Sequence, residues 1–123
     1  MAKNSIFVAG TGTGAGKTVI TACLAAFLSK RGYRIITQKW VQTGGAIDTN
    51  LHLKMLKPYQ TIDYSRYGRL ITPYSFKLPA SPHLSASIAS RRISVSKIIN
   101  SHRLLLKDFD FVIVEGTGGL LVP

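Results

Sequence analysis

The most distinctive stretch of the chain is a glycine-rich segment over residues 10–18, which follows the apolar run 6–9 and ends in Gly16-Lys17-Thr18. Glycine leaves backbone N–H groups uncovered, a lysine supplies a cation for the outer phosphates of a nucleotide, and a threonine hydroxyl suits Mg2+. The segment is therefore interpreted as a phosphate-binding loop between a strand and a helix. The predicted phosphate-binding residues are Gly14, Ala15, Gly16, Lys17, Thr18 and Val19.

The spacing within this segment differs from the usual P-loop, in which four residues separate the first glycine from Gly-Lys-Thr. Here five residues separate Gly10 from Gly16. A glycine-rich turn can also simply close a strand-to-helix corner. The Gly-Lys-Thr ending at a strand-to-helix junction favours phosphate binding over that structural role.

Lys39 and Asp48 are candidate site residues that follow the second predicted strand, over residues 33–38. Ligands of parallel sheets bind outside the carboxyl ends of the strands, so Lys39 is placed on the same edge as the glycine-rich segment. It is either a solvent-exposed lysine or a catalytic one. Asp48 is either a helix N-cap or an Mg2+ ligand, because Mg2+ in phosphate sites commonly takes one or two carboxylates.

Glu115 is the only glutamate of the chain, and it ends the apolar run 111–114. A carboxylate at the end of a buried strand in a P-loop fold is suited to organising Mg2+, directly or through water. The alternative is a strand terminus that faces solvent. The glycines that follow leave room for a ligand, so Gly116, Thr117 and Gly118 join the predicted nucleotide site. The predicted metal ligands are Thr18, Asp48 and Glu115.

The alternation of elements predicts the fold class. Strands are expected over 5–9, 33–38 and 111–114, and helices over 18–31, from 82 to about 90, and from an N-cap at Ser94 to about 107. Residues 46–56 are weakly helical, and residues 58–82 form a proline-rich excursion without clear periodicity. A strand, a crossover helix and a second strand build a parallel sheet. The prediction is an α/β fold of P-loop NTPase type, a parallel sheet with flanking helices.

The positions expected to face the core on the first helix are Val19, Ala22, Cys23, Ala26 and Phe27.

Composition limits the partners. The chain has 123 residues, 46% of them hydrophobic, which fits a single domain over 1–123. No apolar run approaches the ~20 residues of a membrane span, and no signal peptide is evident, so we expect a cytoplasmic protein without a membrane partner. The net charge of +11 could attract nucleic acid, but the basic residues are scattered and no tract forms. ATP is the simpler polyanionic partner, and no specific nucleic acid is expected.

Taken together, these motifs resemble ATP-dependent dethiobiotin synthetase. The resemblance rests on the widened spacing from Gly10 to Lys17, Lys39 with Thr43-Gly44, Asp48, the stretch Pro79 to His83, and the stretch Val114 to Gly119. It implies that MgATP, CO2 and 7,8-diaminopelargonic acid are converted to dethiobiotin, through a carbamate and a carbamic-phosphoric anhydride. Lys39 and Lys17 would be catalytic, Thr43 would hold the substrate, and Mg2+ would be the cofactor. The resemblance also implies that the complete protein is a homodimer.

The sequence also departs from the resemblance. Family members often carry acidic residues in the phosphate loop, where this chain has Gly12 and Gly14. They also continue well past Pro123, so the single domain is expected to be incomplete at its C-terminus, with exposed apolar surface. A non-catalytic nucleotide-binding fragment and an amidoligase-type P-loop ATPase remain alternatives. Chromosome-partitioning ATPases are disfavoured, because their signature lysine would fall on Gly12.

Overall fold

The computed structural model describes residues 4–10, 16–44, 47–77, 82–88 and 90–117. Within these residues the strands are β1 (Asn4–Val8), β2 (Ile35–Gln38), β3 (Val41–Thr43), β4 (Tyr74–Phe76) and β5 (Phe111–Glu115). The helices are α1 (Gly16–Lys30), α2 (Ile47–Leu56), α3 (Gly68–Ile71), α4 (Pro82–Ile88) and α5 (Val95–Asp108), with a 3-10 turn over Tyr64–Tyr67.

The main sheet has the strand order β1-β5-β2, and both pairings are parallel. Its central strand β5 is almost continuously apolar, because a strand covered on both faces has no solvent side on which to place polar residues. Val112 and Ile113 are fully buried and belong to the main core, together with residues of β2 and α5 and with Tyr64 and Ile71 of the proline-rich excursion. The predicted α/β fold, a parallel sheet with flanking helices, is confirmed.

Residues 58–77 contain more structure than the sequence indicated. Strand β4 pairs in parallel with β3 as a separate two-stranded sheet, and neither short strand was predicted. Gln60 covers the outer edge of β2 by accepting a hydrogen bond from the Ile35 N–H at 3.0 Å and donating to the Ile35 carbonyl at 2.6 Å. The Lys39 N–H donates to the Ile71 carbonyl at 2.9 Å. This excursion therefore fixes the strand end that carries Lys39.

The predicted core face of α1 is largely wrong. Val19 is 50% exposed and Phe27 is 53% exposed, and Cys23 is exposed as well. The buried positions are small residues, which let α1 approach α2 and the sheet closely: Thr18, Thr21, Ala22, Ala25 and Ser29. Ala22 is the predicted core residue that is confirmed as buried. In contrast, Ser94 caps α5 as predicted, since its hydroxyl accepts a hydrogen bond from the Lys97 N–H at 3.4 Å.

Apolar side chains are exposed beside β1 and α5. Phe7 on the edge strand β1 is 53% exposed, and Val95 at the start of α5 is 68% exposed. A hollow of about 460 Å³ lies between Trp40 and α5, and its walls are mainly apolar. Part of the apolar surface near β1 and α5 is thus in contact with solvent.

The same substitution at a buried and at an exposed valine tests how much each position contributes to stability. Val112→Ala removes buried methyl groups from the central strand and should lower the free energy of unfolding by about 2 kcal/mol. Val95→Ala makes the same change at a position that is 68% exposed and should change it by less than about 0.5 kcal/mol. Urea denaturation followed by circular dichroism gives both values. Equal losses in the two variants would contradict the burial of β5.

Candidate nucleotide and metal site

Four elements bring polar side chains to the carboxyl edge of the main sheet. Glu115 ends β5, Lys39 directly follows β2, Thr18 lies in the first turn of α1, and α2 supplies Asp48 and His52. We call these five residues the Glu115 cluster. Because β2 and β5 are parallel neighbours, their carboxyl ends lie side by side, and the two helices begin over the same edge.

Glu115 is the centre of the cluster and is only 2% exposed. Lys39 Nζ lies 3.1 Å from Glu115 Oε2, and His52 Nε2 lies 3.2 Å from Glu115 Oε1. The Thr18 hydroxyl adds a further hydrogen bond to the same carboxylate. Both carboxylate oxygens therefore have partners within the protein, as a buried charge requires.

Lys39 joins the two predicted metal-binding carboxylates. Its ammonium contacts Asp48 Oδ2 directly as well as Glu115, and its side chain is only 8% exposed. The Asp48 side chain is 30% exposed, so the open side of the cluster is at Asp48. A lysine between two carboxylates is a fixed cation at the place where parallel α/β sheets bind their ligands. Of the two roles left open for Lys39, the solvent-exposed one is wrong.

The environment favours the ionised form of Glu115. Burial alone would raise the pKa of Glu115, but the His52 hydrogen bond and the positive charge of Lys39 oppose it. With further hydrogen bonds from Lys39 and Thr18, the pKa of Glu115 falls from its ordinary value of 4.5 to about 2. The carboxylate is consequently charged at neutral pH, although it is almost fully buried.

Lys17 precedes the cluster residue Thr18 at the start of α1. Its Nζ is buried and has no hydrogen-bond partner among the described residues. A Cβ atom added at Gly10 would lie 3.3 Å from the Lys17 side chain, so glycine at that position leaves space for this lysine. A buried ammonium without an anionic partner is costly. An anion such as a phosphate would supply the missing partner.

The other predicted site residues are placed as follows. Gly116 donates its N–H to the Val8 carbonyl at 2.9 Å, and the Thr117 hydroxyl donates to the Val41 carbonyl. These bonds join the end of β5 to β1 and β3. Thr43 ends β3, and no hydrogen bond among the described residues connects its side chain to the Glu115 cluster. Gly14, Ala15 and Gly118 lie outside the described residues, as do residues 79–81 and the side chain of His83.

Sequence reasoning missed His52, which is fully buried and contacts Glu115. One signal could have indicated it: His52 lies four residues after Asp48 on a weakly helical stretch. Residues at that spacing lie on the same face of a helix. A polar face that carries a candidate metal ligand could therefore have been extended by one turn to include the histidine.

The donor set suits Mg2+. No group of three or more His, Cys, Asp or Glu that could hold a metal ion occurs among the described residues. The predicted ligands are instead two carboxylates and one hydroxyl, which are hard oxygen donors of the kind that Mg2+ prefers. An Mg2+ ion held here would obtain its remaining ligands from phosphate oxygens and water, as is common in phosphate-transfer sites.

A protein family described as an AAA domain matches residues 4–123, which is nearly the whole chain. The chain belongs to this AAA domain family. The confirmed parallel α/β fold agrees with that membership.

This AAA domain is also similar to curated proteins named ATP-dependent dethiobiotin synthetase. It is 41% identical to one from Haemophilus influenzae, over 96% of this chain and 62% of the relative. It is 42% identical to one from Chlorobaculum tepidum, over 94% of this chain and 49% of the relative. It is 36% identical to one from Methanocaldococcus jannaschii, over 96% of this chain and 54% of the relative. The resemblance indicated by the motifs is confirmed, and the chain spans about half the length of the curated relatives it matches.

Across the described ranges, no helix is both long enough and apolar enough to cross a membrane.

The lowered pKa of Glu115 in this AAA domain predicts a specific pH dependence. The unfolded chain binds a proton near pH 4.5, whereas the folded chain resists protonation until about pH 2. The stability contributed by the Glu115 carboxylate is therefore present above pH 4.5 and is lost as the pH falls towards 2. Relative to Glu115→Gln, the wild-type protein should lose about 3 kcal/mol of unfolding free energy over this interval.

Urea denaturation at several pH values between 7 and 2, with EDTA present, measures this difference. Asp108→Asn serves as the control, because it removes an exposed carboxylate whose partner is the Tyr67 hydroxyl. Its difference from wild type should vary much less with pH. A Glu115→Gln difference that stays constant down to pH 2 would contradict the proposed environment of Glu115.

Proposed function

We propose that this protein is an ATP-dependent dethiobiotin synthetase, which converts 7,8-diaminopelargonic acid, CO2 and ATP to dethiobiotin, ADP and phosphate. The observation that carries the proposal is the Lys39 ammonium between Asp48 and Glu115 at the carboxyl edge of the sheet. This arrangement occurs in a chain that is 41% identical to a protein of that name.

Nucleotide binding is assigned to the start of α1 and the neighbouring glycines. The buried and unpartnered Lys17 ammonium would neutralise charge on the outer phosphates of ATP. Gly16, Thr18 and Val19 lie in the first turn of the helix whose N-terminus favours an anion. Gly14 and Ala15, which precede this helix in the sequence, are assigned to the same phosphate site. Gly116, Thr117 and Gly118 would border the nucleotide at the end of β5.

Thr18, Asp48 and Glu115 would hold Mg2+ in this proposal. When bound, Mg2+ would offset the negative charge on the β- and γ-phosphates during transfer. Glu115 is suited to this role because it is ionised at neutral pH and cannot move freely within the cluster. Asp48 is suited because its carboxylate is the more exposed of the two.

Lys39 is assigned the catalytic role in each step. An amine nitrogen of the substrate attacks CO2 and loses a proton, which gives a carbamate. A carbamate oxygen attacks the γ-phosphorus, and ADP leaves. The neighbouring amine then attacks the carbonyl carbon of the mixed anhydride, and phosphate leaves as the urea ring closes with loss of a second proton. Negative charge develops on oxygens in all three steps, and a fixed ammonium lowers the energy of such charge.

The remaining assignments concern the substrate and the assembly of the active protein. The Thr43 hydroxyl would hold the diamine substrate near Lys39, since Thr43 ends the strand that follows Lys39 in the chain. The active form would be a homodimer, and the reaction would take place in the cytoplasm.

Single lysine substitutions test the two assigned roles. Lys39→Ala should lower diamine-dependent ADP release at least ~100-fold, since it removes the charge that stabilises the transition states. Nucleotide affinity should change little. Lys17→Ala should weaken nucleotide binding ~10-fold or more and lower ADP release as well, because the lysine contacts the phosphates in both processes. ADP release is followed by a coupled assay with CO2 and Mg2+, and nucleotide binding by calorimetry.

Lys54→Ala is the matched control, because Lys54 is an exposed lysine on the same helix as Asp48. Both of its readouts should equal those of wild type. Unchanged turnover in Lys39→Ala would contradict the catalytic assignment. ADP release by the wild type that does not depend on the diamine would instead favour a nucleotide-hydrolysing or nucleotide-binding protein of another specificity.

A further inference from the structure

His52 is a fully buried histidine that approaches one oxygen of the Glu115 carboxylate, while Lys39 approaches the other. A carboxylate held from one side can rotate about its last bond. Opposed donors on its two oxygens remove that freedom. The orientation of Glu115 within the sheet edge is therefore set by a pair of residues, of which His52 comes from α2 and Lys39 from the end of β2.

The hydrogen of this contact belongs to His52. Glu115 pairs with the Lys39 ammonium as a carboxylate, which only accepts hydrogen bonds, so His52 Nε2 carries a hydrogen and donates it to Glu115 Oε1. The other ring nitrogen, Nδ1, is buried without a hydrogen-bond partner among the described residues. Within the part of the chain that the structure describes, Glu115 is therefore the polar partner of this ring.

The helical spacing strengthens the connection. His52 and Asp48 lie four residues apart on α2, so they lie on the same face of this helix. One contacts Glu115, and the other contacts the lysine that also contacts Glu115. The position of α2 is thereby linked to the geometry of both predicted metal-binding carboxylates.

We propose that His52 is a positioning residue, which orients the Glu115 carboxylate for an Mg2+-nucleotide complex without itself contacting the metal. The inference rests on the proposed function in that Glu115 is taken as a metal-organising acid. Without the His52 donor, the buried Glu115 carboxylate would lose one of its hydrogen bonds and would turn towards Lys39 and Thr18. Loss of a residue that orients a metal ligand in this way typically weakens metal binding about 10-fold to 100-fold.

Substitutions at His52 distinguish a positioning role from a purely structural one. The His52→Gln side chain carries an amide nitrogen at about the reach of the histidine Nε2, and His52→Asn carries one that is too short to reach Glu115. His52→Leu removes the donor altogether. Mn2+ affinity in the presence of ADP is measured from the electron paramagnetic resonance signal of free Mn2+, and ADP affinity without metal is measured by calorimetry.

We expect His52→Leu and His52→Asn to weaken Mn2+ binding ~10-fold to 100-fold, whereas His52→Gln should retain most of the wild-type affinity. ADP affinity without metal should change little in all three. Leu56→Ala is the control on the same helix, because Leu56 is fully buried in the main core. It should lower the melting temperature and leave Mn2+ affinity unchanged.

Three outcomes overturn the inference: equal Mn2+ affinities in His52→Gln and His52→Asn, wild-type affinity in His52→Leu with only a lower melting temperature, or no Mn2+ binding by wild-type protein with ADP. The comparison of Gln with Asn decides the question even if the leucine variant does not fold. If the expected Mn2+ pattern appears but wild-type ADP release does not depend on the diamine, the positioning role stands and the proposed reaction fails.

Discussion

Burial of the Glu115 carboxylate is the constraint on which the sheet edge depends. A carboxylate that is 2% exposed would cost several kcal/mol if it were unpaired. The chain contains only 5 acidic residues against 16 lysines and arginines, yet Asp48 and Glu115 contact the same lysine. Donors from α1, α2 and the end of β2 therefore have to meet at β5, which determines how the two helices approach the sheet.

The excursion over residues 58–77 serves the same constraint from outside the cluster. It covers the free edge of β2 through Gln60 and holds the Lys39 backbone through the Ile71 carbonyl. A lysine side chain has many rotamers, and holding its backbone and burying its stem reduce the entropy lost when the ammonium binds two carboxylates. The long connection thus contributes to the site although none of its side chains belongs to the Glu115 cluster.

The sequence allowed the main sheet to be predicted because β5 and most of β1 are apolar and β2 contains the β-branched pair Ile35 and Ile36. It did not reveal β3 and β4, which have three residues each and depend on their pairing with one another. On α1 the helical period was right, but large apolar residues such as Phe27 are exposed and small ones pack inside. Lys39 and Glu115 could be predicted as neighbours because both follow parallel strands. His52 could not be assigned from its type alone, because only the folded chain brings α2 against β5.

The order of the strands delays formation of the main sheet while the chain is being translated. Strand β5 is the middle strand of the main sheet, but it is the last described strand to be translated, and β1 and β2 have no pairing with each other. Asn4 therefore cannot pair with its register partner Phe111 until more than a hundred further residues have been synthesised. Until then the nascent chain exposes unpaired strands, which makes this interval sensitive to aggregation and slow in folding. Both the main sheet and the Glu115 cluster require β5, so neither can form before Glu115 has left the exit tunnel of the ribosome.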